Sequence, residues 1–425
     1  MYLLALLAAL FVPLLGLPLG IIGMYGDKKH QKVYIVCISL AFAAVAYGYQ
    51  ARSETDIVRY WGMVGDYMTR NISLTEAFAS GFYGAGSEEN LWFMNILLWL
   101  ASRIRDQRII PALSAFFVYY MSLSMTCRFC EDAGPGRKQM IFYILFSLTA
   151  LNLYAITNNV RNVLAFLMIA YATFYDVYLH KRNAGVWMLY FFPVFIHTSA
   201  VVVLILRLFI RPIRKFKIAG LAVVAFLYPV LEILNKLAGR MTGSLAFAGG
   251  AIIKAYRYFN DTSSEWGLEV QASGSEKVFK IVYIAIALIL CVLWILTERK
   301  KVKGILPLAT TEKEKELCLM NNFTFYIGLM AIACAPMLRP EYWRFSATAI
   351  ALGGGIFART KQPGIRNAFY DLIWLGTFVL GIFGMILWIR NLTIYAEFLP
   401  TMTAAAGASP LLILLKAILN LIGLR

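Results

Sequence analysis

Four short segments of this 425-residue chain combine side chains that do chemistry. The first is Asn158-Asn159-Val160-Arg161-Asn162, set between two apolar runs, with Arg161 at the mouth of a helix-forming stretch. An Arg fork matches phosphate oxygens bidentately and keeps its charge at any physiological pH, so this segment could grip an anion. An interfacial arginine reaching toward lipid head groups is the alternative reading. The second is Phe195-Ile196-His197-Thr198-Ser199, inside the apolar run 186–206 and just after Pro193. Its imidazole suits proton acceptance or a hydrogen bond to a sugar, or else a bond to a neighbouring helix. His30 and His180 sit beside lysines and read as solvated.

The third segment runs from Arg52 through Thr55, Asp56 and Arg59 to Tyr60 and Trp61; the fourth is Arg339-Pro340-Glu341-Tyr342-Trp343-Arg344-Phe345. Both interleave charges of either sign with aromatic rings, a common way to hold sugars through stacking and hydroxyl bonds. Glu88 and Glu89 add carboxylates ahead of a short apolar stretch. A plain solvated loop also accounts for the third segment.

The elements that must position these groups follow from composition. Apolar residues make up 60% of the chain and charged residues 15%, with a mean hydropathy of +0.68. Soluble domains run at roughly 45–50% apolar and about 25% charged, so a water-soluble enzyme is excluded. Spanning helices need about 20 apolar residues each. Stretches of that order at 1–25, 32–50, 109–127, 140–157, 162–179, 186–206, 218–237, 278–297, 318–337, 345–358 and 367–389, with weaker ones at 90–102 and 410–424, predict an all-α polytopic integral membrane protein. About 12–13 transmembrane helices then form a single domain over residues 1–425. Residues 1–24 have no basic leader region and read as a first membrane helix.

The chain holds 40 Lys+Arg and 23 Asp+Glu, a formal net charge of +17. Cytoplasmic loops collect Lys and Arg, which makes 27–32 and 298–316 the cytoplasmic anchors and accounts for much of the excess without nucleic acid. Strict alternation from those anchors places the loops 50–89 and 238–277 outside and Arg161 near the inner face. It strands Arg52, Arg59, Arg128, Arg137, Lys138, Lys181, Arg182, Arg339 and Arg344 on outer loops. Arg161 moves outward only if 91–101 is re-entrant and a second irregular segment, with 245–253 as the candidate, precedes the basic loop at 298.

The six cysteines include the pair Cys127 and Cys130, but no second pair or His cluster accompanies it, so no metal site is expected. No glycine-rich phosphate loop, H-E-x-x-H helix or G-x-S-x-G elbow occurs, which argues against a nucleotide-driven pump or a zinc protease.

Taken in order, the segments resemble the EpsG-like branch of the Wzy-type bacterial polysaccharide polymerases. Arg52 followed by Thr55-Asp56-Ile57-Val58-Arg59-Tyr60 is similar to that family's element after its second helix, and Glu88-Glu89-Asn90-Leu91 to its helix-opening Glu. Arg161-Asn162-Val163-Leu164-Ala165 resembles a middle element in which Gln usually follows the Arg, so Asn162 departs from the pattern. His197-Thr198-Ser199 and the stretch 339–345 resemble its later elements.

The resemblance covers roughly residues 30–350. It implies a metal-independent, cofactor-free glycosyltransferase of the bacterial cytoplasmic membrane. Such an enzyme polymerises undecaprenyl-pyrophosphate-linked oligosaccharide repeats into exopolysaccharide, capsule or O-antigen, with a flippase and a chain-length regulator as partners. In that frame His197 and Asp56 are the candidate bases. Arg161 with Arg339 or Arg344 would take the pyrophosphate, while Arg52, Arg59, Tyr60, Glu88, Glu341 and Tyr342 would position substrate. A flippase or other transporter of lipid-linked oligosaccharide would also need a cationic path, and it is the alternative. Paired broken helices, common in transporters, are not visible in the sequence.

Overall fold

A computed structural model describes residues 1–52, 55–83, 91–211, 222, 226–240, 249, 253, 256, 274–302, 311–335, 341–362 and 365–422. Among these the chain is helical, and the only β feature is an isolated bridge between Ala51 and Ala396. In chain order the helices are α1 Tyr2–Phe11, α2 Gly16–Gly26, α3 Gln31–Tyr47, α4 Asp56–Thr69, α5 Leu74–Tyr83, α6 Trp92–Ile104, α7 Ile109–Ala133, α8 Arg137–Ala150, α9 Leu153–Asn158 and α10 Asn162–Thr173. There follow α11 Ala184–Phe191, α12 Val201–Leu208, α13 Leu227–Ala238, α14 Gly274–Val302, α15 Glu312–Ala333, α16 Glu341–Leu352, α17 Gly354–Thr360, α18 Ala368–Tyr395, α19 Phe398–Ala406 and α20 Pro410–Leu421.

Four of the described helices are long and apolar enough to cross a membrane: α7, α15, α18 and residues Glu276–Glu298 of α14. The bent pair α19–α20, which turns through 81°, makes a fifth if it counts as one span. The first apolar stretch is not one helix. It breaks at Val12 (φ −132°, ψ 77°), and α1 and α2 both pack on α3. Close approach of α2 and α3 depends on missing side chains. A Cβ on Gly16 would lie 2.6 Å from the Cys37 carbonyl oxygen, and one on Gly20 would lie 2.6 Å from Ile38. Small residues at that spacing let helix backbones meet in an apolar medium.

Helix ends are set by local capping. Asn152, Asn183, Asn367 and Ser409 accept from the first turns of α9, α11, α18 and α20, and Thr311 with Glu314 forms a capping box on α15. Gly134, at φ 80°, closes α7 in the left-handed region that glycine adopts without strain.

Long-range polar contacts sort the loops to two ends. At one end lie 27–32 and the α7–α8 turn, joined by a bond from Arg137 to the Tyr25 carbonyl at 3.0 Å. Asp132 there forms an ion pair with Arg128 and accepts from Lys313 and Tyr178, and Glu316 meets His180. Arg359 reaches Glu314 at the same end. At the opposite end Tyr47 donates to Asp106 at 2.5 Å, and Arg108 bonds both of them. Burial pushes the Asp106 carboxyl up, but the bonds from Arg108 and Tyr47 outweigh it and hold its pKa below the ordinary value.

This sorting corrects strict alternation. Arg128, Arg137, Lys138, Lys181 and Arg182 share the basic end with Asp27 and Lys28 instead of lying on opposite loops. The reason is parity. Helices α4 and α5 both pack on α6, and the three lie between the end of α3 and the start of α7, both of which lie at the distal end. Residues 91–101 therefore belong to a segment that begins and ends at the distal end.

Residues 184–208 form a second irregular segment, whereas the sequence candidate 245–253 lies largely outside the described residues. The apolar run 186–206 is not one helix. It enters as α11, breaks through a 3-10 turn at Phe192–Phe195 and an extended His197 (φ −153°, ψ 112°), and returns as α12. Pro193 lacks the N–H that a continuing α-helix would use.

Both arms close on Asp176, carried by the wider π-turn Phe174–Tyr178 that ends α10. Tyr190 of α11 donates to this carboxylate at 3.3 Å, Arg207 of α12 pairs with it, and Arg182 bonds it at 2.5 Å. Asp176 is buried and Arg207 nearly so. Removing one member of a buried ion pair typically costs about 3–5 kcal/mol, because the other is left uncompensated. Asp176→Ala should therefore lower thermal stability in detergent by roughly 3 kcal/mol, and adding Arg207→Leu should recover part of the loss. An unchanged melting curve, or a double variant no better than the single, would contradict the latch.

Candidate functional site

The distal end gathers most of the described residues singled out in the sequence. The start of α4 is fixed first. The Ile57 N–H donates to Asn158 Oδ1 at 3.2 Å, which ties the first turn of α4 to the end of α9. Ser114 of α7 holds the same linker by donating to the Val160 carbonyl at 2.9 Å. Arg161 then stands immediately before α10, with its guanidinium carbon 5.7 Å from the centre of the Tyr60 ring. Arg59 lies 5.2 Å from the same ring and donates to the Tyr60 hydroxyl at 3.3 Å. Tyr60 is buried while Arg59 is exposed. Two guanidiniums against one ring gain from its quadrupole and stay oriented.

The second group forms where the hairpin tip meets α16. His197, Glu341 and Arg344 are all buried, at 8%, 3% and 8% exposure. Arg344 Nη1 pairs with Glu341 and bonds His197 Nε2 at 2.9 Å. A guanidinium only donates, so Nε2 accepts and the imidazole in this pair is neutral with its proton on Nδ1. Arg344 Nε is buried and has no hydrogen-bond partner among the described residues. Nη1 is thus engaged while Nε, part of one face of the fork that carboxylates and phosphates use, has no acceptor among the described residues.

One helix holds both groups. Phe166 of α10 lies 6.2 Å from the His197 ring and 5.1 Å from Phe345, the residue after Arg344. Phe166 follows Arg161 by five positions, about 7.5 Å along a helix axis at 1.5 Å per residue. The two groups therefore occupy neighbouring turns at the same end of α10.

The remaining predicted residues divide. Asp56 opens α4 and is exposed, a place where a carboxylate also favours the helix dipole. Arg52 donates to the Ile394 carbonyl at 2.7 Å, which makes it a tether for the end of α18. Tyr342 is buried beneath Lys280, whose nitrogen lies 5.7 Å from the ring centre. Glu88 and Arg339 lie outside the described residues.

Lys280 was not anticipated from the sequence. Its signal was a lysine four positions after Glu276 at the head of the apolar run 278–297, a spacing that reads first as an ordinary helical pair. An aromatic group also escaped notice: Trp92 and Phe93 of α6 meet Phe192 and Phe195 of the hairpin, with Phe93 stacked on Phe192 at 4.6 Å. Among the described residues no cluster of three or more His, Cys, Asp and Glu side chains is placed to hold a metal ion. Comparison with known protein families, curated proteins and solved structures finds no match to this chain.

The geometry makes position 161 share a face with Asp56 and oppose Lys28. All six native cysteines are buried, so introduced ones can be read against a quiet background. Single cysteines at 161 and 56 should react with an impermeant maleimide from one side of sealed vesicles, and one at 28 only from the other. Labelling of 161 together with 28 would break the site apart.

Proposed function

We propose that the chain is a glycosyltransferase of the bacterial cytoplasmic membrane that polymerises undecaprenyl-pyrophosphate-linked oligosaccharide repeat units. The site at the distal end faces outward and the Asp27–Lys32 end faces the cytoplasm. The observation that carries this reading is Arg344: a buried guanidinium steadied through Nη1 by Glu341 and His197, with its Nε edge lacking an acceptor among the described residues. A pyrophosphate ester is an acceptor of the right charge and shape for such an edge. Arg161, five residues before Phe166 at the head of α10, supplies a second cation.

In the proposed reaction the hydroxyl oxygen of an incoming unit attacks the anomeric carbon of the growing chain. A bond forms from that oxygen to the carbon as the carbon–oxygen bond to the pyrophosphate breaks. The electron pair leaves on the pyrophosphate, where Arg161 and Arg344 stabilise the developing charge. The hydroxyl proton passes to a carboxylate, and Asp56 is an exposed one beside Arg59 and Tyr60. His197 then serves as a positioning residue, since its Nε2 lone pair is engaged by Arg344. Tyr60, Arg59 and Glu341 orient sugar and guanidinium, and the reaction needs no metal.

Purified protein given synthetic lipid-linked repeats should yield a product ladder. Arg161→Lys keeps the charge but loses the fork, and the ladder should form about 100-fold more slowly, the scale of losing one charge-stabilising donor. A competent substrate that yields no ladder would reject the polymerase reading. Translocation of the same lipid in that preparation would favour a flippase. Full activity in Arg161→Lys would reduce Arg161 to an interfacial anchor.

A further inference from the structure

At the basic end, far from the site above, a half-open cavity of about 220 Å³ lies between the last turn of α2, the start of α3 and the α7–α8 turn. Lys28 and Arg137 line it, together with Gln31, Glu131, Met24 and Met140. Several features identify what it would take. Arg137 is anchored by its Nη1 bond to the Tyr25 carbonyl, so its charge is fixed beside the cavity. Lys28 forms no ion pair among the described residues. The buried Gln31 amide donates to the Met140 thioether at 3.5 Å, a weak acceptor for a strong donor.

The cavity also carries one carboxylate. Glu131 sits 3.9 Å from Arg128, which offsets its charge only in part. A dianion would meet that carboxylate, whereas a singly charged phosphodiester would be matched by the two cations. A hydroxyl on the same head group could donate to Glu131. The size agrees: at roughly 30 Å³ per water the cavity holds about seven waters' worth of volume, suited to a head group and not to a whole lipid. Methionines on the wall suit the first carbons of a glycerol backbone.

We infer that this cavity binds the head group of an anionic phospholipid carrying a phosphodiester and free hydroxyls, of the phosphatidylglycerol type, with Lys28 and Arg137 on the phosphate and Glu131 on a hydroxyl. Basic pockets between helices at the cytoplasmic side are where such head groups dock. The inference rests on the membrane reading of the chain and is independent of the polymerase reading.

The test uses the full chain in nanodiscs of phosphatidylcholine with graded phosphatidylglycerol, with bound lipid counted by native mass spectrometry. Phosphatidylglycerol should be retained over phosphatidylcholine, and Lys28→Gln and Arg137→Gln should each lower its affinity about fivefold, the effect of one cation near a charged surface. Lys28→Arg should keep it. Glycerol phosphate and inorganic phosphate, which lack the acyl chains, should not compete at equal concentration. Equal retention of both lipids, or unchanged retention in both Gln variants, would overturn the site. Competition by free phosphate would assign the cavity to a soluble anion instead. Should a Gln variant fail to fold, Gln31→Leu, which removes a neutral donor, gives the same reading with a smaller loss. A chain that fails to enter nanodiscs of either lipid would overturn the membrane reading itself.

Discussion

A guanidinium buried among apolar helices must find partners, since isolated charge in a low-dielectric interior is the most expensive group a protein can hold. Arg344 sits under that constraint, and much of the distal half follows from how it is met. Glu341, three residues earlier on the same helix, supplies the countercharge. His197 supplies the second acceptor, but only because the chain breaks at Pro193 and brings an extended residue to the tip of a hairpin. The hairpin in turn holds only if its arms are closed, and the Asp176–Arg207 pair closes them. One buried charge at the site is thus supported by a second buried pair at the far end of α10.

α10 is accordingly the frame of the molecule's chemistry. Arg161 stands at its head, Phe166 carries the hairpin tip and α16 one and a half turns later, and Asp176 sits in the π-turn at its foot. A π-turn shifts the register of a helix by one residue, which re-aims the side chains it carries. That local irregularity joins the sequence of one helix to the placement of residues around it.

Much of the site could be read from the sequence, because polar side chains in apolar surroundings are rare and costly. Arg161, His197, Glu341 and Arg344 stand out on those grounds alone, and Tyr60 by its charged neighbours. Their grouping did not, for two reasons. An apolar run reads as a span whether it crosses or turns back, so counting 90–102 as a crossing moved Arg128 through Arg182 to the wrong end, and counting 186–206 as another restored the parity beyond them. The pair that reveals the turn, Asp176 and Arg207, is separated by 31 positions. Lys280 was missed because an i,i+4 charge pair at a helix start has an ordinary explanation. The roles of His197 and Asp56 also separate only in three dimensions, where one is buried against a guanidinium and the other exposed.

Under the proposed function, the guanidiniums of Arg161 and Arg344 flank one pyrophosphate at the end opposite Lys28. The most direct measurement is a cryo-electron microscopy structure of the protein in nanodiscs with a polyprenyl-pyrophosphate-linked sugar. Pyrophosphate density is expected within hydrogen-bonding distance of Arg344 Nε and the Arg161 guanidinium, with the sugar toward Tyr60. Pyrophosphate density at the basic end, or a distal site in which Arg344 still bonds only Glu341 and His197 while the lipid sits elsewhere, would contradict it.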